Sequence, residues 1–186
     1  MKSVCFILLA ISVSSFIYQN DSKILWEKDI ELRIEDFRKD IPDYSDKLAE
    51  SLLSIEYNYQ VTEVEAPIFT IKTYFIKDRS WIKLKDKNTL RHEQLHFDMA
   101  ELYTRKMRRD IEQMRRKKIK DIEVYIEVMR QYRSENRKAD EQFDNQCFGL
   151  IVNGQLIERA YEHRQEEWID SITIELDKLK EYELKL

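Results

Sequence analysis

Glycine and proline are scarce in this chain, whose 186 residues include only two of each. Residues 87–117 contain neither, so nothing in that stretch interrupts a long helix. Apolar side chains recur there at helical spacing, with charged residues between them, at Leu95, Met99, Leu102, Tyr103 and Met107. The scarcity of chain-breaking residues therefore predicts a mainly helical chain from residue 88 onward.

Cysteine is equally rare. Cys5 lies in an apolar N-terminal run, and Cys147 would be the only cysteine left after removal of that run. An exported domain with a single cysteine has no internal disulfide, so its core must be stable without one. With 186 residues, 42% of them hydrophobic, the chain is long enough for one domain with such a core.

The chain also lacks a strong excess of one charge. Its net charge of −4 gives no reason to expect a nucleic-acid partner. The basic stretch Arg105 to Lys120 would suit peripheral contact with anionic polymers or lipids of a cell envelope. A solvated helix face, balanced by the acidic C-terminal helix, is the commoner arrangement. No repeat or low-complexity linker divides residues 21–186, so we expect a single domain there.

The N-terminal residues resemble an export signal. Lys2 is followed by the apolar run Val4 to Ile17, which is short for a membrane span. No clear small-residue cleavage site follows it. We therefore interpret residues 1–20 as a signal peptide or an uncleaved N-terminal anchor, and we expect the protein to be exported.

The alternation of side chains predicts strands before the long helix. Residues 24–85 are rich in aromatic and β-branched residues. The predicted strands cover residues 24–26, 30–37, 54–64 and 67–76, with a short helix at 45–53 after Pro42. Two further helices are predicted, one from about 120 and one over about 155–182. The expected fold class is α+β, a small antiparallel sheet followed by a long active-site helix and a helical C-terminal part.

The most specific motif is His92-Glu93-Gln94-Leu95-His96, an H-E-x-x-H that contains two of the three histidines. Histidines four residues apart lie about 40° apart around a helix and roughly 6 Å along it, so both rings can reach one cation. Zn²⁺ prefers such nitrogen ligands, and Glu93 lies where a carboxylate can accept a proton from a water molecule. The alternative is a solvated helix that carries two surface histidines.

A third metal ligand must come from elsewhere, because the extended motif with a later glycine and histidine is absent. If the helix from residue 88 turns near 118–120 and the next helix runs back, residues near 141–145 return to the height of the motif. Asp144 lies in that window, and we predict that it is the third ligand. His163 is the main rival, and Asp140 and Glu166 are remoter candidates. No glycine or proline marks the assumed turn.

Further segments carry a resemblance to a known family. They are Trp26, Arg33-Ile34-Glu35-Asp36-Phe37, Tyr74-Phe75, Ser80-Trp81, His92-Glu93-Gln94-Leu95-His96-Phe97-Asp98, Ala100-Glu101-Leu102-Tyr103 with Arg105, Phe143-Asp144, Gln165 and Trp168. In this order they resemble the bacterial family of uncharacterised exported proteins described as predicted secreted zinc-dependent proteases. The resemblance covers nearly all of the chain after the signal, and it implies a zincin-like metallopeptidase.

One departure from that family bears on activity. Relatives carry a Tyr-Asp pair that is followed shortly by a threonine and a His-Gly, whereas this chain has Phe143-Asp144 and no histidine after it. If that histidine stabilises an oxyanion in relatives, this chain lacks it, unless Tyr103 or His163 substitutes for it.

The sequence therefore predicts an exported zinc peptidase. His92, His96 and Asp144 would hold Zn²⁺, Glu93 would be the general base, and the substrate would be a peptide or protein. The alternative is a weakly active or inactive zinc-binding protein that acts as an interaction module at the cell envelope. The sequence does not predict an oligomeric state.

Overall fold

The computed structural model describes residues 21–147, 150–152, 155–157 and 162–185. Its strands are β1 (Lys23–Leu25), β2 (Ala49–Glu50), β3 (Leu53–Gln60), β4 (Ile68–Ile76), β5 (Trp81–Ile82), β6 (Leu150–Val152) and β7 (Gln155–Ile157). Its helices are α1 (Lys87–Arg116), α2 (Ile122–Cys147) and α3 (Glu162–Lys178), with short 3-10 helices at Ile34–Asp36, Lys77–Arg79 and Lys180–Tyr182. The fold class is α+β, as the sequence predicted.

The main sheet has three antiparallel strands in the order β1-β4-β3. Strand β4 is central, with Leu25 paired to Tyr74 on one side and Leu53 paired to Phe75 on the other. Alternate residues of β4, namely Ile71, Thr73 and Phe75, are buried, as expected for a sheet with one face against helices. β2 pairs with β5, and β6 pairs with β7. The strands predicted at 24–26, 54–64 and 67–76 correspond to β1, β3 and β4.

Helix α1 forms where the sequence predicted a long helix. The Asp86 side chain caps its start by accepting a hydrogen bond from the backbone N–H of Thr89 at 2.9 Å. Its buried face includes Leu95, Met99 and Leu102, which pack with residues of α2 and α3. The apolar face of α1 is therefore the surface against which α2 and α3 pack.

The turn after α1 is a Schellman motif built without glycine. Lys118 has a φ of +57°, in the left-handed region. Its backbone N–H donates to the Arg115 carbonyl at 2.8 Å, and that of Ile119 donates to the Met114 carbonyl at 3.2 Å. This geometry ends α1 and reverses the chain direction, so that α2 runs back along α1. The sequence analysis assumed such a turn, although no glycine or proline marks it.

The two long helices lie antiparallel to each other. On the side of the motif that is nearer the turn, the Tyr132 hydroxyl donates to Asp110 at 2.7 Å. At the far end, His96 contacts Asp140 and His92 contacts Asp144. Residues equidistant from the turn are therefore level with one another, which brings two carboxylates of α2 beside the two histidines of α1.

A buried ionic network ties α1 to the sheet and to the C-terminal residues. Glu101 is 1% exposed; it accepts from Arg105 Nε at 3.1 Å, from Arg108 Nη1 at 2.8 Å and from Thr73 Oγ1 at 2.9 Å. The two guanidinium groups also donate to main-chain carbonyls, those of Ile71, Leu176 and Tyr182. Two arginines of the basic stretch are therefore used inside the fold.

Two predictions about the segment before α1 are wrong. The helix predicted at 45–53 is absent; β2 lies there, and the Leu48 carbonyl accepts from the N–H groups of Lys83 and Leu84. The strand predicted at 30–37 is also absent, and Ile34–Asp36 forms a 3-10 helix. There the N–H of Leu32 donates to the Gln94 side chain and that of Arg33 to the Asp36 side chain, so side chains satisfy donors that a strand would pair.

The start of the predicted third helix is also wrong. Residues 155–157 form β7, whose pairing with β6 competes with helix formation, and α3 covers Glu162–Lys178. The signal or anchor predicted at 1–20 lies outside the described residues. Within the described ranges, none of the helices is both long enough and apolar enough to cross a bilayer.

Candidate metal centre

The two histidines of the motif lie on the buried side of α1, one turn apart. His92 is 5% exposed, and its Nε2 lies 3.2 Å from Nε2 of His96. The helix alone sets this proximity, since the rings project from the same face. Phe143 of α2 stacks on His92 with ring centres 4.3 Å apart, which holds that ring from the other side.

Helix α2 brings Asp144 to the same point. Its Oδ1 lies 3.1 Å from Nε2 of His92 and 3.0 Å from Nε2 of His96. Three potential ligand atoms thus form a nearly equilateral triangle, contributed by two helices. The Asp144 side chain is 39% exposed, so the triangle has an open side towards solvent.

The dimensions of this triangle suit a small cation. Ligand atoms 2.0–2.1 Å from one tetrahedral ion lie about 3.3 Å apart, and the three observed separations are 3.0–3.2 Å. Two imidazoles and one carboxylate are also the ligand set of many catalytic zinc sites, which leave a fourth position for water or substrate. The residues present therefore fit Zn²⁺.

The electrostatics of the triangle favour positive charge. Burial lowers the pKa of His96, but its hydrogen bonds with Asp140 and Asp144 outweigh burial and raise that pKa to about 10. Burial would raise the pKa of Asp144, yet its hydrogen bonds with His92 and His96 hold it well below the usual range. Protons and metal ions compete for the same lone pairs in such a site.

Asp140 lies on the outer side of His96. Its Oδ1 is 3.0 Å from Nδ1 of His96, the ring nitrogen that faces away from the triangle. Its Oδ2 accepts a hydrogen bond from Nδ2 of Asn136 at 3.1 Å. Asp140, a remoter candidate ligand in the sequence analysis, lies outside the triangle and contacts a member of it, His96. Asp140 and Asp144 are four residues apart, as His92 and His96 are, and this spacing is a sequence signal that the analysis did not use.

Glu93 points into the cleft next to the triangle. It is 2% exposed, and its Oε2 accepts a hydrogen bond from the Ser51 hydroxyl at 2.6 Å. Ser51 directly follows β2, so the short β2-β5 pair fixes the position of the hydroxyl. The sequence analysis missed Ser51, because nothing in the local sequence links a serine near a short strand to a helix 42 residues later.

Two members of the triangle, His96 and Asp144, line the same cleft as Glu93, with a volume of about 270 Å³. One wall is β2 with its flanking residues, including Lys47 and Glu50. The other wall is the α2 face that carries Asn136 and the two aspartates. Potential metal-ligand atoms and a buried carboxylate thus meet at one solvent-accessible space, an arrangement that is compatible with a hydrolytic site.

Several residues of the family resemblance form hydrogen bonds on the parts of α1 and α2 that carry the triangle. Trp26 Nε1 donates to Asp98 at 2.8 Å, and Gln94 Nε2 donates to the same oxygen at 3.0 Å. Burial raises the pKa of Asp98 to about 6 despite these hydrogen bonds. Trp168 donates to Gln146 at 2.9 Å. These contacts lock α1 and the end of α2 in place.

The rival ligands do not join the triangle. The His163 side chain is 89% exposed on α3 and lies 3.4 Å from Glu167. Glu166 forms a bidentate ion pair with Arg91, at 2.6 and 2.7 Å. Tyr103 was a candidate substitute for the missing family histidine, not a rival ligand; the Lys106 ammonium group lies 4.3 Å from the centre of the Tyr103 ring. Among the described residues, the His/Cys/Asp/Glu group suited to a metal is His92, His96 and Asp144.

Comparison of this chain with protein-family models, with curated proteins and with solved structures finds no match.

Proposed function

We propose that this protein is an exported zinc-dependent metallopeptidase. The observation that carries the proposal is the triangle of His92, His96 and Asp144, which opens into the cleft that also contains Glu93. Both the ligand types and their separations suit Zn²⁺. The export expectation is based on the apolar N-terminal run.

When bound, Zn²⁺ would act as a Lewis acid that polarises a carbonyl and lowers the pKa of water towards about 7. Glu93 would accept the proton of the attacking water and return it to the leaving amine. The hydrogen bond from Ser51 keeps one Glu93 oxygen fixed, so the carboxylate is oriented before substrate arrives. A residue held in this way loses little conformational entropy during the reaction.

The cleft wall gives the substrate a place to bind. In the described part of the chain, β2 has a strand partner on one side only, which is β5, and its residues line the cleft. An extended peptide can add to such an edge through main-chain hydrogen bonds. This would place the scissile bond above the triangle, beside Glu93. A peptide or protein is therefore the proposed substrate.

The substitution Glu93→Gln tests the chemistry. We expect the variant to keep one zinc per chain, because Glu93 is not in the triangle, and to lose cleavage by about 10²–10⁴-fold, as removal of a general base does. Zinc is measured by elemental analysis, and cleavage by mass spectrometry of a peptide library. Glu141→Gln, an exposed change on α2, is the matched control. Cleavage by Glu93→Gln at the wild-type rate would exclude Glu93 from the reaction.

One observation favours a second candidate, a zinc-binding interaction module with weak or no activity. Phe143 packs directly on His92, and its ring has no hydroxyl that could donate to an oxyanion. The same assay separates the two candidates. One zinc per chain without cleavage of any library peptide would support the interaction module, and a folded wild-type protein without zinc would contradict both.

A further inference from the structure

The carboxylate of Asp140 occupies a particular place beside the triangle. It contacts Nδ1 of His96 at 3.0 Å, while Nε2 of the same ring faces Asp144 and His92. A carboxylate can only accept a hydrogen bond, so the His96 proton belongs on Nδ1. This tautomer leaves the Nε2 lone pair directed into the triangle, where a cation would be bound.

Asp140 is itself held by a neighbour one turn earlier on α2. Asn136 Nδ2 donates to Asp140 Oδ2 at 3.1 Å. The other amide atom, Asn136 Oδ1, is buried and has no hydrogen-bond partner among the described residues. A buried acceptor without a partner is unfavourable. The amide therefore keeps this orientation for the hydrogen bond that it gives Asp140, and both Asp140 oxygens are fixed.

We propose that Asp140 is a positioning residue of the metal centre, and that Asn136 holds it in place. Asp140 fixes the tautomer and ring orientation of His96 and makes the imidazole a better ligand, as outer carboxylates do in metal sites. This inference rests on the proposed function, because it requires that His96 bind a metal. It assigns the two carboxylates of one α2 face to different tasks, Asp144 to the ion and Asp140 to the histidine.

The test measures zinc affinity, which needs no substrate. The purified chain is titrated with zinc against a competing chelator, for the wild type, Asp140→Ala, Asp140→Asn and Asn136→Ala. Glu141→Ala is the matched control, since it removes an exposed carboxylate at the next position of the same helix. Visible spectra of the Co²⁺-loaded proteins report the geometry at the ion, and thermal melts of the metal-free proteins report folding.

We expect Asp140→Ala to bind one zinc per chain with an affinity about 10–100-fold lower than that of the wild type. Asp140→Asn keeps an acceptor for His96 Nδ1, so its affinity should lie between those two. Asn136→Ala should weaken binding less than Asp140→Ala. The Co²⁺ spectrum should change in Asp140→Ala. The metal-free variant should melt at a lower temperature than the wild type, because its contact with His96 is lost, but still in one cooperative transition, as a folded protein does.

Three results would overturn the inference. The first is an unchanged affinity in Asp140→Ala, and the second is complete loss of zinc in that variant, which would make Asp140 a ligand. The third is a loss of zinc affinity in Glu141→Ala equal to that in Asp140→Ala, which would mean that the change in net charge alone causes the effect. If Asp140→Ala binds as tightly as a wild type that holds one zinc, only this inference fails. A wild type that binds no zinc would remove the proposed function as well.

Discussion

Substitution of any one of the three triangle residues should have the same effect on zinc binding. His92, His96 and Asp144 each contribute one atom, and each of these atoms lies 3.0–3.2 Å from the other two. We expect His96→Ala and Asp144→Ala each to abolish stoichiometric zinc, because the two ligands that remain bind the ion far more weakly. Metal content of the purified variants, measured by elemental analysis, checks this expectation.

His163→Ala is the matched control for this prediction. It removes a histidine whose side chain is 89% exposed on α3, so the variant should keep the zinc content of the wild type. Loss of zinc from His163→Ala, with zinc retained by Asp144→Ala, would contradict the assignment of Asp144 as the third ligand.

At the residue scale, sequence reasoning could place some site residues but not others. His92, Glu93 and His96 carry their spacing in the sequence, and Asp144 follows from the level pairing of an antiparallel helix hairpin. Ser51 could not be found in this way. Its contact with Glu93 depends on how the β2-β5 pair sits over α1, which is a matter of tertiary packing.

At the scale of the elements, the turn between α1 and α2 makes a specific prediction. Lys118 has a φ of +57°, which is unfavourable by about 1–2 kcal/mol for a residue with a Cβ. Lys118→Gly removes that strain but adds freedom to the unfolded chain, so we expect a net gain of roughly 0.5–1 kcal/mol in the free energy of unfolding. Urea denaturation measures it.

The neighbouring residue provides the control. Lys117 has a φ of −80°, so Lys117→Gly gains nothing from glycine and should lower the free energy of unfolding. If Lys118→Gly lowered stability as much as Lys117→Gly does, the left-handed conformation of Lys118 would be wrong.

The predictions of secondary structure were wrong where contacts with other parts of the chain, rather than local preference, decide the backbone conformation. Residues 45–53 contain helix-favouring residues, yet Ala49 and Glu50 pair with the strand at 81–82, and the Leu48 carbonyl accepts from the N–H groups that follow that strand. Residues 30–37 alternate like a strand, yet Gln94 and Asp36 satisfy their donors. Long, periodic segments such as α1 were predictable because tertiary contacts reinforce the local pattern there.

At the scale of the whole molecule, the buried network around Glu101 joins parts that are far apart in sequence. Thr73 of β4, two arginines of α1 and the carbonyls of Leu176 and Tyr182 all meet there. Cys147, the cysteine in the described part of the chain, is free. The network therefore connects the sheet, α1 and the C-terminal residues through buried polar contacts.

This placement predicts a large stability loss on neutralising Glu101. Both Glu101 and Arg105 are almost fully buried, at 1% and 2% exposure. Neutralising Glu101 removes the carboxylate that pairs with Arg108 and leaves Arg105 with Glu183 as its carboxylate partner. We expect Glu101→Gln to lower the free energy of unfolding by about 3–5 kcal/mol. Glu167→Gln, which breaks the exposed pair with Arg164, should lower the free energy of unfolding far less, because solvent screens that pair.

Urea denaturation of both variants at one pH and one salt concentration gives the comparison. Added salt separates them further, because it screens the exposed pair but hardly reaches the buried one. Equal losses in the two variants would mean that Glu101 is solvated in the folded protein. The C-terminal residues would then be held mainly by apolar contacts, such as those of Leu176 and Leu179.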